Sequence, residues 1–479
     1  MKFKHIIPVF LAFFFLAGYS NCIAQQNNSI INQRLDSLIG RAVSMNLFSG
    51  DVLVVDNNKI IYDKAFGKAD YEKNIPNTLL TQFQIGSITK QFTKVMILQL
   101  IEQKKLSFTD TIGKFFTGFS SQVSAVTVKQ LLDHKSGLGS YTDGPPFGED
   151  RDAVENIKTI SDILPYIKKE KLHFKPGTQA LYSNSGYVTL AAIIEKVSGK
   201  NYYEMLKGNI LDKMKMAHTG FSAYVKPTAD KATGYLSNSL GPLQSNAQMH
   251  IIGGGDGGIF MTTHDLLAFL NSLLYDNKLL SNSSKEIAFA NPFNPATDKT
   301  WDEFQKTGKM ALAGGAPGIS ALWSLNMFTK KIVIVFSNYD EGTAEQLGMR
   351  IGGILNNTPA PPLHPPSAKY LYDVINTKGG KYFEDNYKAE IKNSGMQPND
   401  DMVLLSVGRQ YLEHNSPENA ISLYKVYTIS FPQIIVAWND LGDAYLQKND
   451  KDNAKKCYEQ ALTIRPDNPR AKRALEKLK

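Results

Sequence analysis

The chain has 479 residues, 42% hydrophobic and 20% charged, and carries a formal net charge of +8 from 53 Lys and Arg against 45 Asp and Glu. That length exceeds one ordinary compact domain and suits two or three, and the composition excludes wholesale disorder and a polytopic membrane protein. The basic residues are scattered among acids, which describes a solvated surface and argues against a nucleic-acid footprint.

In chain order, the first predicted element is an export signal over residues 1–24. Met1-Lys-Phe-Lys-His5 precedes an apolar run from Ile6 to Ala17, and small and polar residues follow from Gly18 to Ala24. The run is shorter than the ~20 residues a spanning helix needs, and no later segment reaches that length. The mature chain is therefore expected to be exported, periplasmic or secreted, with no transmembrane segment. Cleavage is expected after Ala24; the rival is lipid anchoring through Cys22, for which Tyr19-Ser20-Asn21 makes a poor lipobox. Loss of the signal removes Lys2 and Lys4 and leaves Cys457 as the only cysteine, so no intramolecular disulfide is available.

Residues 25–357 mix helical and strand patterns without repeats and form the expected catalytic domain. Its key segment is Phe83-Gln-Ile-Gly-Ser87-Ile-Thr-Lys90-Gln-Phe-Thr, followed by the periodic apolar residues Val95, Leu98 and Ile101 of a buried helix. Ser87 opens that helix, and a lysine three residues on lies one turn away on the same face, within reach of the hydroxyl. The helix N-terminus favours an alkoxide, and a desolvated lysine can serve as base. The spacing alone is weak evidence, since Ser422 and Lys425 repeat it in mid-helix. His134 reads as a structural member of a loop.

The next element, Phe174-Lys-Pro-Gly-Thr-Gln-Ala-Leu-Tyr182-Ser-Asn184, places a turn at Pro176-Gly177 before another apolar helix through Ile194. In extended geometry Tyr182 and Asn184 point to one side, Tyr182 to relay the proton of Ser87 and Asn184 to hold a substrate amide. The glycine run Gly253 to Gly258 lacks the Gly-Lys-Ser/Thr ending of a phosphate loop and reads as a tight turn beside a close-packed strand. No histidine pair has metal-ligand spacing, so neither metal nor cofactor is expected.

Thr358-Pro-Ala-Pro-Pro-Leu-His-Pro-Pro366 is too proline-dense for helix or sheet and starts a stretch, 358–398, of stiff linker and charged helices. Residues 399–479 repeat with a period of 34. Trp438, Gly442, Tyr445, Ala454, Tyr458 and Pro466 fall at the offsets of a tetratricopeptide repeat, and Gly408, Tyr411, Ala420, Tyr424 and Pro432 sit 34 residues earlier, with Tyr427 where a small residue is usual. This predicts an all-α solenoid that packs on the main domain or docks a protein partner.

The Ser87–Lys90 and Tyr182–Asn184 motifs resemble those of the serine beta-lactamase and penicillin-binding-protein superfamily, in its class C and D-alanyl-D-alanine carboxypeptidase branch. Phe48-Ser-Gly-Asp-Val-Leu-Val-Val, Ala65-Phe-Gly-Lys-Ala-Asp, Val128-Lys-Gln-Leu-Leu-Asp-His134-Lys-Ser-Gly137, Gly257-Gly-Ile-Phe-Met-Thr-Thr-His-Asp265 and Gly314-Gly-Ala-Pro-Gly-Ile extend the likeness. The resemblance implies an α+β fold: an antiparallel sheet flanked by helices, with a helical subdomain inserted between strands near 50–67 and 313–338. It also implies substrate contacts at Gly314 and Gly315 and an oxyanion hole from the backbone amides of Ser87 and Gly315. The chain departs from the family at the third motif, Lys-Thr-Gly or His-Xaa-Gly, where it reads Leu312-Ala313-Gly314. Lys306-Thr307-Gly308 upstream reads as a decoy, because Gly314 and not Gly308 is followed by the expected glycine, Gly318.

The expected chemistry is acyl transfer through Ser87 on an amide, ester or lactam carbonyl of a small-molecule or peptide substrate. Peptidase, lactamase and esterase stay open, as does a non-turnover acyl-binding sensor or scaffold acting through the repeats.

Overall fold

The computed structural model describes residues 28–143, 157–221, 230–236, 243–247, 253–396 and 400–478. Residues 1–24, expected to be an export signal, and Cys22 among them lie outside the described residues. The chain divides into two compact units, the first reaching Pro361 and the second starting at Pro362.

The first unit is built on a five-stranded antiparallel sheet. Its strands are β1 (Gly50–Asp56), β2 (Lys59–Phe66), β3 (Lys309–Ala316), β4 (Ile319–Asn326) and β5 (Lys331–Ser337), in spatial order β3-β4-β5-β1-β2. A sheet with open edges, flanked by helices, is the α+β architecture expected above. β1 reads Gly-Asp-Val-Leu-Val-Val-Asp and is buried from Gly50 to Val55. Leu53 and Val55 join the main core, while Val52 and Val54 are buried on the alternate face, so β1 is covered on both sides and carries a continuous apolar run where a half-exposed strand alternates.

Between β2 and β3 the chain inserts its helical portion. A helix over residues 28–44 (α1) precedes the sheet. Helix α2 (Thr89–Glu102) buries 12 of its 14 residues, so it runs through the core and has no solvent face. Helices α3 (Asn184–Ser198) and α4 (Thr263–Tyr275) pack in the same core, which unites Phe92, Leu190, Leu270 and Trp323. Helix α5 (Trp301–Thr307) leads into β3, and α6 (Thr343–Asn356) packs on β4 and β5.

The second unit is all helical. Helices α7 (Ser367–Lys378) and α8 (Gly380–Asn393) precede α9 (Asp401–Glu413), α10 (Pro417–Ser430), α11 (Ile435–Gln447), α12 (Lys451–Ile464) and α13 (Pro469–Lys477). The charged pair α7–α8 shares one core with the repeats, joining Leu371 and Phe383 to Leu404, Tyr424 and Leu441. A Cβ on Gly408 would lie 2.3 Å from the Tyr424 ring, and one on Gly442 2.7 Å from the Tyr458 ring; the 34-residue period thus repeats a glycine–tyrosine packing contact. Tyr427 is fully buried where the second repeat has Ala461, and its hydroxyl reaches Asp401 (2.6 Å). Cys457 is a buried free thiol. Among the described residues no helix is long and apolar enough to cross a membrane.

Candidate functional site

Ser87 lies in the 3-10 turn Gly86–Ile88 that runs directly into α2. Gly86 adopts φ +48, and its missing Cβ makes room for strand β3: a Cβ there would stand 2.6 Å from Gly315 N. The approach is reciprocal, since a Cβ on Gly314 would lie 2.1 Å from Ile85 O and 2.6 Å from Ser87 N. Two glycines from distant segments therefore let the start of the helix rest on the edge strand, at a separation that no side chain permits.

Strand register decides which way that edge faces. Gly308 O accepts from Met327 N (2.8 Å), so that opposed pair is hydrogen-bonded. Counting along the unbroken β3–β4 register to Gly315↔Ser320 reaches a pair of the other type, which turns the N–H of Gly315 off the free edge. The Glu341 side chain lies against the Cα of Gly315, 2.4 Å from where a Cβ would be.

Three predicted residues come together. Tyr182 OH donates to Ser87 Oγ at 2.6 Å, and Lys90 Nζ donates to the same oxygen at 3.1 Å. The Lys90 ammonium sits over the Tyr182 ring, 4.7 Å from its centroid, and donates to the backbone carbonyl of Asp256 at 2.8 Å. Burial lowers Lys90 to about 8, against the pull of the Asp256 carboxylate. Burial raises Tyr182 well above an ordinary phenol, which keeps it protonated as a donor to the serine.

The glycine run is the loop entering strand Ile259–Met261, and its carbonyls serve α2: Asp256 O accepts from Lys90 and Gly255 O accepts from Thr93 Oγ1 at 2.5 Å. The buried Asp256 side chain accepts from Tyr141 OH at 3.3 Å, and its carboxyl is raised chiefly by burial. Asp256 escaped the sequence reading because its contribution to Lys90 is a backbone carbonyl; its only signal was a lone acid among glycines before an apolar strand.

Asn184 is placed differently from expectation. Ser183 caps α3 by accepting from Gly186 N, so Asn184 is already helical and does not extend alongside Tyr182. Its Nδ2 donates to Ser140 Oγ (3.0 Å). His134 has φ +55, accepts from Ser183 N on Nδ1 (3.0 Å) and stacks on Tyr182 at 4.9 Å between ring centroids. Burial, then the Lys94 and Lys90 charges, lower it to about 3, so it is neutral with its proton on Nε2. Its uncharged ring packs between Tyr182, Tyr187 and Phe293.

Ser87, Lys90, His134 and Tyr182 line one cavity of about 630 Å³, whose wall also includes Leu312 and Phe293. Leu312 reaches this cavity from edge strand β3. Lys306 and Thr307 end helix α5 and Gly308 caps it, so the upstream triplet is not part of the edge strand.

The beta-lactamase family pattern matches residues 35–352, and a tetratricopeptide-repeat pattern matches 435–468. The chain is 30% identical over 316 residues to the penicillin-binding protein PbpX of Bacillus subtilis (strain 168), spanning 64% of this chain and 75% of that protein. It is 32% identical over 232 residues to the teichoic acid D-alanine hydrolase of Staphylococcus aureus (strain MRSA252), spanning 48% of this chain and 55% of that one. Among solved structures, FmtA from Staphylococcus aureus superposes with a TM-score of 0.56 at 27% identity, over 68% of this chain and 89% of that one. A penicillin-binding protein from Bacillus halodurans superposes with a TM-score of 0.57 at 24% identity, over 67% and 98%, and speaks for the fold alone.

Proposed function

The chain belongs to the beta-lactamase and penicillin-binding-protein superfamily, with a separate tetratricopeptide-repeat region, and from that premise we propose that it is an exported hydrolase that forms an acyl-enzyme on Ser87. Membership supports a serine-hydrolase-type reaction; the residue roles, the compartment and the substrate are our reading. The observation that carries it is the convergence of Lys90 Nζ and Tyr182 OH on one serine oxygen at the wall of a cavity.

With its pKa near 8, roughly a tenth of Lys90 is neutral at pH 7 and able to take the Ser87 proton. Ser87 Oγ then attacks the carbonyl carbon. The oxyanion forms between the backbone amides of Ser87 and Gly315, donors that do not depend on the missing third-motif side chain. The proton held on the Lys90–Tyr182 pair passes to the leaving nitrogen or oxygen as its bond to the carbonyl breaks, and water later cleaves the Ser87 ester. Losing a charged hydrogen bond at position 312 costs roughly 1.5–3 kcal/mol for a carboxylate that needs that strand, which favours uncharged esters over penicillin-type lactams and over peptides whose terminal carboxylate must reach it. The tetratricopeptide region supplies a protein-docking surface in this reading.

The test compares p-nitrophenyl butyrate, a D-alanyl-D-alanine peptide and a chromogenic cephalosporin on wild type and Ser87→Ala. Turnover of any of the three that is lost in Ser87→Ala supports the reading, and turnover of the ester exceeding that of the peptide and the cephalosporin supports the role given to position 312. Equal turnover by Ser87→Ala on every substrate overturns it.

A further inference from the structure

A second lysine lies in the cavity beside the reacting serine. Lys94 follows Lys90 by four residues on α2, so the two share a helix face about 6 Å apart along the axis. Lys94 is only 8% exposed, yet it forms part of the cavity wall. Among the described residues no hydrogen bond or ion pair engages its ammonium. Burial lowers it to about 8, with the Asp133 carboxylate pulling the other way, so it is mostly charged at pH 7. Asp133 and Asp298 act on it through space without forming an ion pair, so its N–H donors remain for a ligand to engage.

The rest of the cavity has the same sign. Its wall carries Lys90, Lys94, Lys299 and Lys309 against a single acid, Glu286, and that acid already accepts from Trp301 N at 2.8 Å. Beside Gly315 lies the side chain of Glu341, an acid that repels anions. A carboxylate entering this site therefore meets Leu312 in the middle of β3; Lys309, at the start of that strand, is exposed to solvent, and the buried cation one turn beyond Lys90 is Lys94 on α2.

We propose that Lys94 is the anion-binding residue of the cavity and selects substrates that carry a carboxylate about one helical turn from the scissile carbonyl. The cation that the family places on the edge strand is thus supplied from the helix. This rests on Ser87 being the nucleophile, and the experiment separates the two claims.

The probes are mono-p-nitrophenyl glutarate and p-nitrophenyl pentanoate, which differ only in a terminal carboxylate against a methyl. The readout is the ratio of their kcat/KM values, glutarate over pentanoate, in the full chain, so a general loss of activity cancels. In Lys94→Met, an uncharged side chain of similar length, the ratio is expected to fall about 10- to 100-fold, carried by KM, as for a lost charged hydrogen bond. A ratio within twofold of wild type overturns the proposal while leaving Ser87 as nucleophile intact. If hydrolysis of both esters is no faster than in Ser87→Ala, the nucleophile reading fails, and calorimetric titration of free glutarate decides the anion site: at least tenfold weaker binding to Lys94→Met supports it, equal binding refutes it. Thermal melting checks that Lys94→Met is folded, and Lys94→Gln replaces it if it is not.

Discussion

Gly314→Ala puts the edge-strand geometry to a direct test. The added methyl would begin 2.1 Å from Ile85 O, 2.6 Å from Ser87 N and 2.9 Å from Ile88 N, all backbone atoms, whereas ordinary contact starts near 3.4 Å. The turn carrying Ser87 and strand β3 must therefore separate by roughly 1 Å, and a displacement of that size at reacting atoms costs on the order of 100-fold in rate. Loss of one oxyanion donor falls in the same range, roughly 10²–10³. The overpacking itself should cost about 1–3 kcal/mol of stability. Ester hydrolysis and urea denaturation of the same preparation read both quantities. Gly352 in α6 has nothing within 4 Å of a built Cβ, so Gly352→Ala is the control, expected to keep full activity and gain up to ~1 kcal/mol. A folded Gly314→Ala enzyme within threefold of wild type would refute the idea that contact between this turn and this strand sets the site.

Other expectations follow from individual groups. Because Lys90 must be neutral to accept a proton and is lowered to about 8, kcat/KM should rise with pH and level off above an apparent pKa near 8; Lys90→Met should abolish the rise with the activity, and a flat profile in wild type from pH 6 to 9 contradicts the role. His134 is held near 3, below its unfolded value of ~6.5, so it favours the folded state fully above that pH and progressively less as pH falls toward 3, an acid loss of several kcal/mol. Denaturation midpoints of His134→Gln should fall less steeply than those of wild type across that window, and parallel curves count against it. Gly408→Ala drives a methyl into the Tyr424 ring and should lower the stability of the helical unit by about 1–3 kcal/mol, read by melting of the full chain; an unchanged melting temperature argues against the repeat packing.

How far the sequence could be read depended on which atoms make each contact. Ser87 and Lys90 were legible because helical spacing alone brings their side chains together, and Tyr182 because the Pro176-Gly177 turn precedes a helix. The paired glycines of the repeats were legible because the 34-residue period aligns them with Tyr424 and Tyr458. Asn184 was misplaced because Ser183 caps the helix one residue before it, a local hydrogen bond that ended the extended run. Asp256 acts on Lys90 through a carbonyl that every residue possesses, so no residue type signals it. Lys94 went unnoticed because α2 is buried on nearly all faces, and periodicity cannot say which of its buried residues faces an internal cavity. His134 was read as a loop residue, which it is; its stacking on Tyr182 depends on a left-handed backbone conformation and on a chain segment nearly 50 residues away.

The central claim, that Ser87 is the nucleophile, is tested most directly by treating the full chain with a fluorophosphonate and mapping the modified peptide by mass spectrometry, alongside Ser87→Ala. One adduct is expected, on Ser87, absent from the variant. An unmodified wild-type protein, or an adduct on another residue that persists in Ser87→Ala, would contradict it.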